Sequence, residues 1–430
     1  MTFVDMGSRG PQVSLLQSTL NRGYSAGLHV DGIFGPHTGE AVKNVQTKLG
    51  LNATGRADQH LWDGLMPAVL GLSTYVSMAG DTLLSLAERN KVSPPELMAA
   101  NPGVVFDPLE PGTQLVIPGA YSVVYEDVPY TYDVLRYNLL GLKARYPFLK
   151  FRTIGQSTLG RNIYHVQMGK GRHRVTYNAA HHANEWITTP MLMKFVEDLC
   201  RAVVTNERLA GYSVQNALEK HTYDIIPMVN PDGVDLVTGN IDPESAFYQF
   251  AQKRCRDTTV PFPSGWKANA RGVDLNLNYP ANWEKAKQIK YAAGYQRPGP
   301  RDFVGPRPLS EPETAAMTAF TRRHGMCAPD CYRLAAAWHT QGREIYWKYD
   351  RYNPPLSELI GRLFSTLSGY ALEVTPAFSA NAGYRDWFIQ TFNKPGYTIE
   401  AGEGESPLEL SQLERIYGEN IGIMLLGGLV

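Results

Sequence analysis

No run of this 430-residue chain approaches about 18 consecutive apolar residues, so no transmembrane helix is expected. Charge of one sign is missing too. Lys plus Arg and Asp plus Glu number 41 each, which gives no reason to expect nucleic acid or an anionic membrane as partner. The opening residues, MTFVDMGSRGPQ, lack the basic region and apolar run of a secretory leader, so the chain is either made without one or has lost it. Cysteine is scarce. The four residues Cys200, Cys255, Cys327 and Cys331 cannot staple a scaffold of this size, and CAPDC lacks the further ligands of a structural zinc site. They read as small packing groups, with one disulfide left open.

What the chain does have is a globular composition, 43% hydrophobic and 19% charged, and a length that exceeds one ordinary core. Residues 1–66 read as a small helical unit. Val13, Leu16 and Leu20 share one helix face, Ala41, Val45 and Leu49 another, and HVDGIFG between them is a glycine-rich turn. Nothing in this segment could do chemistry, which leaves binding. Residues 72–119 follow a βααβ order, with Asp81 expected to cap the first helix, Ser93 the second, and QLVIP as closing strand. The stretch 121–133 reads as a linker into a large domain that runs from 125 to 430. There the strand-like HRVTYNAAH, HTYDIIPMVN and YRLAAAWH alternate with helical TPMLMKFVEDLCRAVV and SEPETAAMTAFTRRHG. That alternation predicts an α/β domain with a mostly parallel sheet and its chemistry at the strand C-terminal ends.

At the end of one such strand lies NAAHHANEWITTP, residues 178–190. His182 and Glu185 are three apart, so one turn after the strand can aim both at a single point. His181 points away if the strand continues. A satisfied histidine beside a surface glutamate is the plain alternative. The H-E-x-x-H spacing of the commoner zinc hydrolases is absent, so a third ligand must come from elsewhere. His339 in AAAWHTQG, directly after an apolar strand, offers itself. Two histidines, a glutamate and an open position make a known catalytic zinc set.

Three resemblances organise these readings. From Gly7 to Gln46 the chain resembles three-helix peptidoglycan-binding domains, through D-G-x-F-G and the flanking helical pattern. GDTLLSLAERNKVSPPELMAANP with LEPGTQLVIP resembles a LysM domain, a binder of N-acetylglucosamine-containing glycans. The large domain resembles the zinc carboxypeptidase (M14) family over roughly 300 residues: H-x-x-E is HANE, N-P-D-G is Asn230 to Gly233, and the D-x-N-R-N run appears as DLNLN with Asp274, Asn276 and Asn278 in place. The family fold, a central mixed sheet flanked by helices, is therefore expected. The resemblance implies one Zn2+ per chain on His182, Glu185 and His339, with Asp274 accepting from the other nitrogen of His182. Two glutamates compete as general base, Glu373 and Glu400. The family's D-W pair about fourteen residues ahead of the base matches Asp386 and Glu400, which favours Glu400.

The departures from the family bear on substrate. Digestive members clamp a C-terminal carboxylate with an arginine where this chain has Leu277. The arginine that polarises the scissile carbonyl is replaced by Lys267, still able to hold an oxyanion as a point charge. The position of the family's mobile tyrosine holds Phe378, with Tyr384 as one possible substitute. Arg385 and Glu373 fall in the pocket region and together suit a side chain bearing both a carboxylate and an amine, as in meso-diaminopimelate. Surface pairing of Arg385 with Glu373 or Asp386 is the plain alternative. Two glycan-binding-like modules ahead of such a domain resemble the arrangement of bacterial γ-D-glutamyl-L-diamino acid endopeptidases. Peptidoglycan strands and muropeptides are then the expected partners, with Asn276, Arg385 and Glu373 touching substrate. The cell wall, the exterior or a sporulation compartment is the expected location. A conventional metallocarboxypeptidase tethered to the wall and a non-catalytic glycan-binding protein are the competing readings.

Overall fold

Proline opens two of the first three helices, where its fixed φ suits the first turn and its missing N–H leaves nothing unpaired. These helices are α1 (Pro11–Tyr24), α2 (Pro36–Lys48) and α3 (Gln59–Val69). Val13, Leu16, Leu20, Ala41 and Val45 are all buried between them. The intervening turn is held by one side chain: Gln17 accepts from the N–H groups of Asp31 (3.1 Å) and Gly32 (2.9 Å) and donates to the carbonyl of Ile33.

The computed structural model describes residues 3–325 and 332–429, so the Cys327–Cys331 pair lies outside the described residues. Cys200 and Cys255 are both buried. In the βααβ segment, β1 (Leu72–Val76) pairs antiparallel with β2 (Gln114–Pro118), enclosing α4 (Leu83–Asn90) and α5 (Pro94–Ala100). Ser93 caps α5 as expected, in a reciprocal box with Glu96. Asp81 does not cap α4. Thr82 does, accepting from Ser85 N–H at 3.1 Å, while Asp81 accepts from the Tyr75 hydroxyl (2.8 Å) and Met78 N–H (2.7 Å).

Contacts gather the chain into two compact units, residues 1–150 with 197–207, and residues 151–196 with 208–430. The stretch expected as a linker is packed inside the first unit. Val123, Val124, Tyr125, Val128 and Tyr130 are buried, and the Glu197 carboxylate accepts from Val123 N–H (2.7 Å) and Val124 N–H (2.9 Å). Helix α6 (Tyr132–Arg145) belongs to the same unit and sends Arg145 to within 3.7 Å of Glu197. An apolar YSVV run reads as packing material as readily as linker.

The second unit is built on an eight-stranded mixed sheet. Its strands are β3 (Lys150–Gln156), β4 (Asn162–Gly169), β5 (His173–Ala179), β6 (His221–Ile226), β7 (Tyr332–His339), β8 (Glu344–Tyr346), β9 (Ala371–Glu373) and β10 (Gly396–Glu400). Their spatial order is β9-β8-β10-β7-β5-β6-β4-β3. The four central strands β10, β7, β5 and β6 run parallel, while β4 and β8 join them antiparallel. Every residue of β6 is buried, as are Val175 to Ala179 of β5, the continuous burial of a sheet covered on both faces. The expected helices appear as α7 (Thr188–Thr205) and, after α8 (Pro231–Val237), as α9 (Pro312–Gly325). Helices α10 (Tyr384–Phe392) and α11 (Leu413–Leu429) also pack on the sheet.

Candidate active site

Three parallel strand ends bring the candidate residues together. His339 is the last residue of β7 and Glu400 the last of β10, and the two are direct cross-strand partners. Beyond β5 the chain turns at Ala180, whose φ of 50° is left-handed, and a short 3₁₀ turn over Ala183–Glu185 aims His182 and Glu185 at the same point. N-P-D-G holds that turn. Asn230 caps α8 through Gly233 N–H and donates to the carbonyls of His181 (3.2 Å) and Ala268 (3.0 Å). Gly233 is required there, since a Cβ would sit 2.7 Å from both the Ala183 methyl and the Ala268 carbonyl. Ala183 N–H in turn donates to the Lys267 carbonyl.

His182, Glu185 and His339 form a group whose ligand atoms all lie within 4.8 Å of one another. His182 Nδ1 lies 2.9 Å from Glu185 Oε1, His339 Nδ1 2.8 Å from Glu185 Oε2, and the two Nδ1 atoms are 3.2 Å apart. Tetrahedral zinc with ligands at about 2.0–2.1 Å would hold neighbouring donors roughly 3.3 Å apart, close to these spacings. Two imidazole nitrogens facing one carboxylate and each other form a donor set that suits such a cation. The outer nitrogen of His182 is held as well, Nε2 by Asp274 Oδ1 at 3.0 Å, and Asn276 Nδ2 lies 3.4 Å from His339 Nε2. His181 is outside the group, fully buried and bonded to the Tyr279 hydroxyl at 2.9 Å.

The electrostatics are those of a tight charge cluster. Burial disfavours the charge on His182, but the Glu185 and Asp274 carboxylates outweigh it and raise its pKa to about 9. Burial likewise opposes the Glu185 and Asp274 charges, and the facing cations hold both well below the usual carboxylate range. Glu400 behaves differently: burial and the Glu185 charge push it up to about 8. Lys267 places its Nζ 2.9 Å from Glu185 Oε1.

These groups line one cleft of about 380 Å³. Leu277, Asn276, Arg385 and Phe378 line it too, and so does Tyr346, whose hydroxyl donates to Glu344. Two residues singled out in the sequence do not line the cleft. Glu373 is exposed at the end of edge strand β9, cross-strand from Tyr346, and is not among the cleft residues. Thr375 and Pro376, just beyond it, form the wall instead. Tyr384 is fully buried among Tyr279, Trp387 and Phe388 with its hydroxyl 3.0 Å from Thr321, so it does not substitute for the mobile tyrosine. Arg385 is in the cleft wall but paired, its Nε 3.0 Å from Asp386 Oδ1 and its Nη1 donating to Thr375 Oγ1 at 2.6 Å. Lys290, Arg301, Asp302 and Tyr346 are cleft residues that carry no sequence motif.

The zinc carboxypeptidase family model matches residues 138–422, and the chain belongs to that family. Peptidoglycan-binding and LysM domain models match residues 9–65 and 79–118. Among relatives, γ-D-glutamyl-L-diamino acid endopeptidase 1 of Lysinibacillus sphaericus is 41% identical over 300 residues, 69% of this chain and 72% of that protein. The Bacillus subtilis (strain 168) protein YqgT is 39% identical over 282 residues, 65% of this chain and 72% of its own length. Carboxypeptidase A from Helicoverpa armigera shares the fold at a TM-score of 0.54 and 19% identity, with 70% of this chain and 73% of that one covered.

Proposed function

We propose that this chain hydrolyses the γ-D-glutamyl–meso-diaminopimelate bond of peptidoglycan stem peptides, with one zinc ion held by His182, Glu185 and His339. The observation that carries the proposal is one cleft lined by His182, Glu185, Lys267 and Glu400, with His339 grouped with the first two, in which Leu277 stands where the carboxylate-clamping arginine would be. Zinc bound there would supply a Lewis acid and acidify a water molecule. Glu400 takes the proton from the attacking water and delivers it to the departing amine. Lys267 and Asn276 donate to the oxygen on which negative charge develops. Asp274 keeps the proton of His182 on Nε2 and so leaves Nδ1 free to coordinate.

The name of the Lysinibacillus relative supports the choice of bond. The peptidoglycan-binding and LysM matches support peptidoglycan as partner and the cell wall as location. None of the described helices is long and apolar enough to cross a membrane. A wall-tethered conventional carboxypeptidase would need a C-terminal carboxylate grip that Leu277 cannot provide. Incubation with muropeptides whose stems carry a further residue after diaminopimelate, followed by mass spectrometry, tests the proposal. Cleavage between D-glutamate and diaminopimelate is expected. Release of the C-terminal residue alone would support the carboxypeptidase, and no product the non-catalytic reading.

A further inference from the structure

The cleft wall beside Leu277 carries more positive charge than it neutralises. Lys290 is buried, its Nζ 2.5 Å from Asp302 Oδ1 and 3.5 Å from the centre of the Phe378 ring. Arg301 leans on the same aspartate, Nε to Oδ2 at 3.3 Å, with 43% of its side chain exposed. Two cations thus share one carboxylate. The other carboxylate near Lys290, Asp274, is engaged by His182. Arg385, by contrast, faces a carboxylate of its own in Asp386. No other ion pair or hydrogen bond forms at the Arg301 guanidinium among the described residues, so both of its Nη groups are open to a ligand.

Arg301 is also held in register with the reacting centre. On one side of it the Pro300 carbonyl accepts from Lys267 N–H (2.8 Å) and Ala268 N–H (3.0 Å). On the other, Asp302 N–H donates to Asp274 Oδ2 (3.3 Å) and the Phe303 carbonyl accepts from Asp274 N–H (2.8 Å). The segment carrying Arg301 is therefore pinned between the candidate oxyanion lysine and the aspartate that orients His182.

We infer that Arg301, braced by Asp302 and Lys290, grips a carboxylate of the stem peptide, a role closed to Arg385 by its pairing with Asp386. The inference rests on the proposed cleavage of γ-D-glutamyl stems. A planar guanidinium with free Nη donors suits a carboxylate in two-point contact.

The test uses the full-length zinc-loaded protein and four soluble L-Ala-γ-D-Glu-diaminopimelate stems. One is unmodified, and the others are amidated at the D-glutamate α-carboxyl, the diaminopimelate side-chain carboxyl or the C-terminal carboxyl. The unaltered protein should prefer the unmodified stem over one of the amides by roughly tenfold or more in kcat/KM, mainly through KM. In Arg301→Met that preference should collapse toward one, while Arg301→Lys should restore part of it. The amide concerned identifies which carboxylate is bound. Persistence of every preference in Arg301→Met, absence of any preference in the unaltered protein, or collapse in Arg385→Met instead would each overturn the inference. Failure to cleave any of the four stems would instead overturn the bond assignment beneath it.

Discussion

His182 shows how the site is wired at the scale of single residues, with one ring nitrogen toward Glu185 and His339 and the other fixed by Asp274. Removing Glu185 as Glu185→Ala leaves two histidines, so the protein should lose its single zinc equivalent by elemental analysis and its activity with it. Chelation of the unaltered protein should abolish turnover, and one equivalent of zinc should restore it. Glu400→Gln is the complementary case. It keeps the ligands and the fold but cannot take a proton, so kcat should fall by about 10²–10⁴-fold with zinc content unchanged. Retained turnover in Glu400→Gln would move the base elsewhere. The His182–Glu185–His339 group was legible in the sequence because His182 and Glu185 are three apart and His339 ends an apolar strand. Arg301 and Lys290 were not, because their meaning arises from a shared Asp302 and the backbone register of residues 300–303. Glu373 ends an edge strand beside the cleft residue Tyr346 without lining the cleft itself, a placement that spacing along the chain does not reveal.

At the scale of elements, buried carboxylates beneath the site tie the loops to α9. Glu313 in the first turn of α9 accepts from Thr158 N–H (2.7 Å) and from Asn269 (3.2 Å), which also donates to Glu311. Burial raises the Glu313 pKa from 4.5 to about 7. The folded state therefore holds a proton that the unfolded chain releases, so the stability tied to it is complete below about pH 4.5 and lost as pH rises through about 7. The loss amounts to up to about 3 kcal/mol. Urea denaturation between pH 5 and 8 should show the unaltered protein losing stability relative to Glu313→Gln as pH rises. Parallel curves would contradict this. The central strands were readable, since continuous apolar runs mark strands covered on both faces, and Ser93 with Glu96 forms a recognisable cap; β3, β4 and β8, only partly buried, carry no such run. The first LysM helix was placed one residue early because Asp81 and Thr82 are both good caps. The Tyr75 hydroxyl, from the neighbouring strand, and the Met78 N–H draw Asp81 away.

Over the whole molecule, three sequence-distinct segments combine polymer binding with hydrolysis. Weak glycan-binding modules joined to a catalytic domain raise its effective concentration at an insoluble substrate without touching the chemistry. Full-length Glu400→Gln should therefore co-sediment with insoluble sacculi, and N-acetylglucosamine oligomers should compete with it. A protein that stays in the supernatant would deny these modules their role. Domain order was legible from composition and motif. The boundary near residue 121 was not, because Val123, Val124 and Tyr125 are buried against Glu197, Asn138 and Thr19 rather than exposed. A chain cut at that point would bare this surface, so its melting temperature should drop along with its affinity for sacculi.

The most direct test of the central claim is hydrolysis of the soluble stem L-Ala-γ-D-Glu-diaminopimelate in H₂¹⁸O, with fragment masses read by tandem mass spectrometry. Attack at the γ-carbonyl predicts one ¹⁸O in the γ-carboxyl of the D-glutamyl fragment and none in the released diaminopimelate. Label at any other carboxyl, or unlabelled fragments, would contradict it.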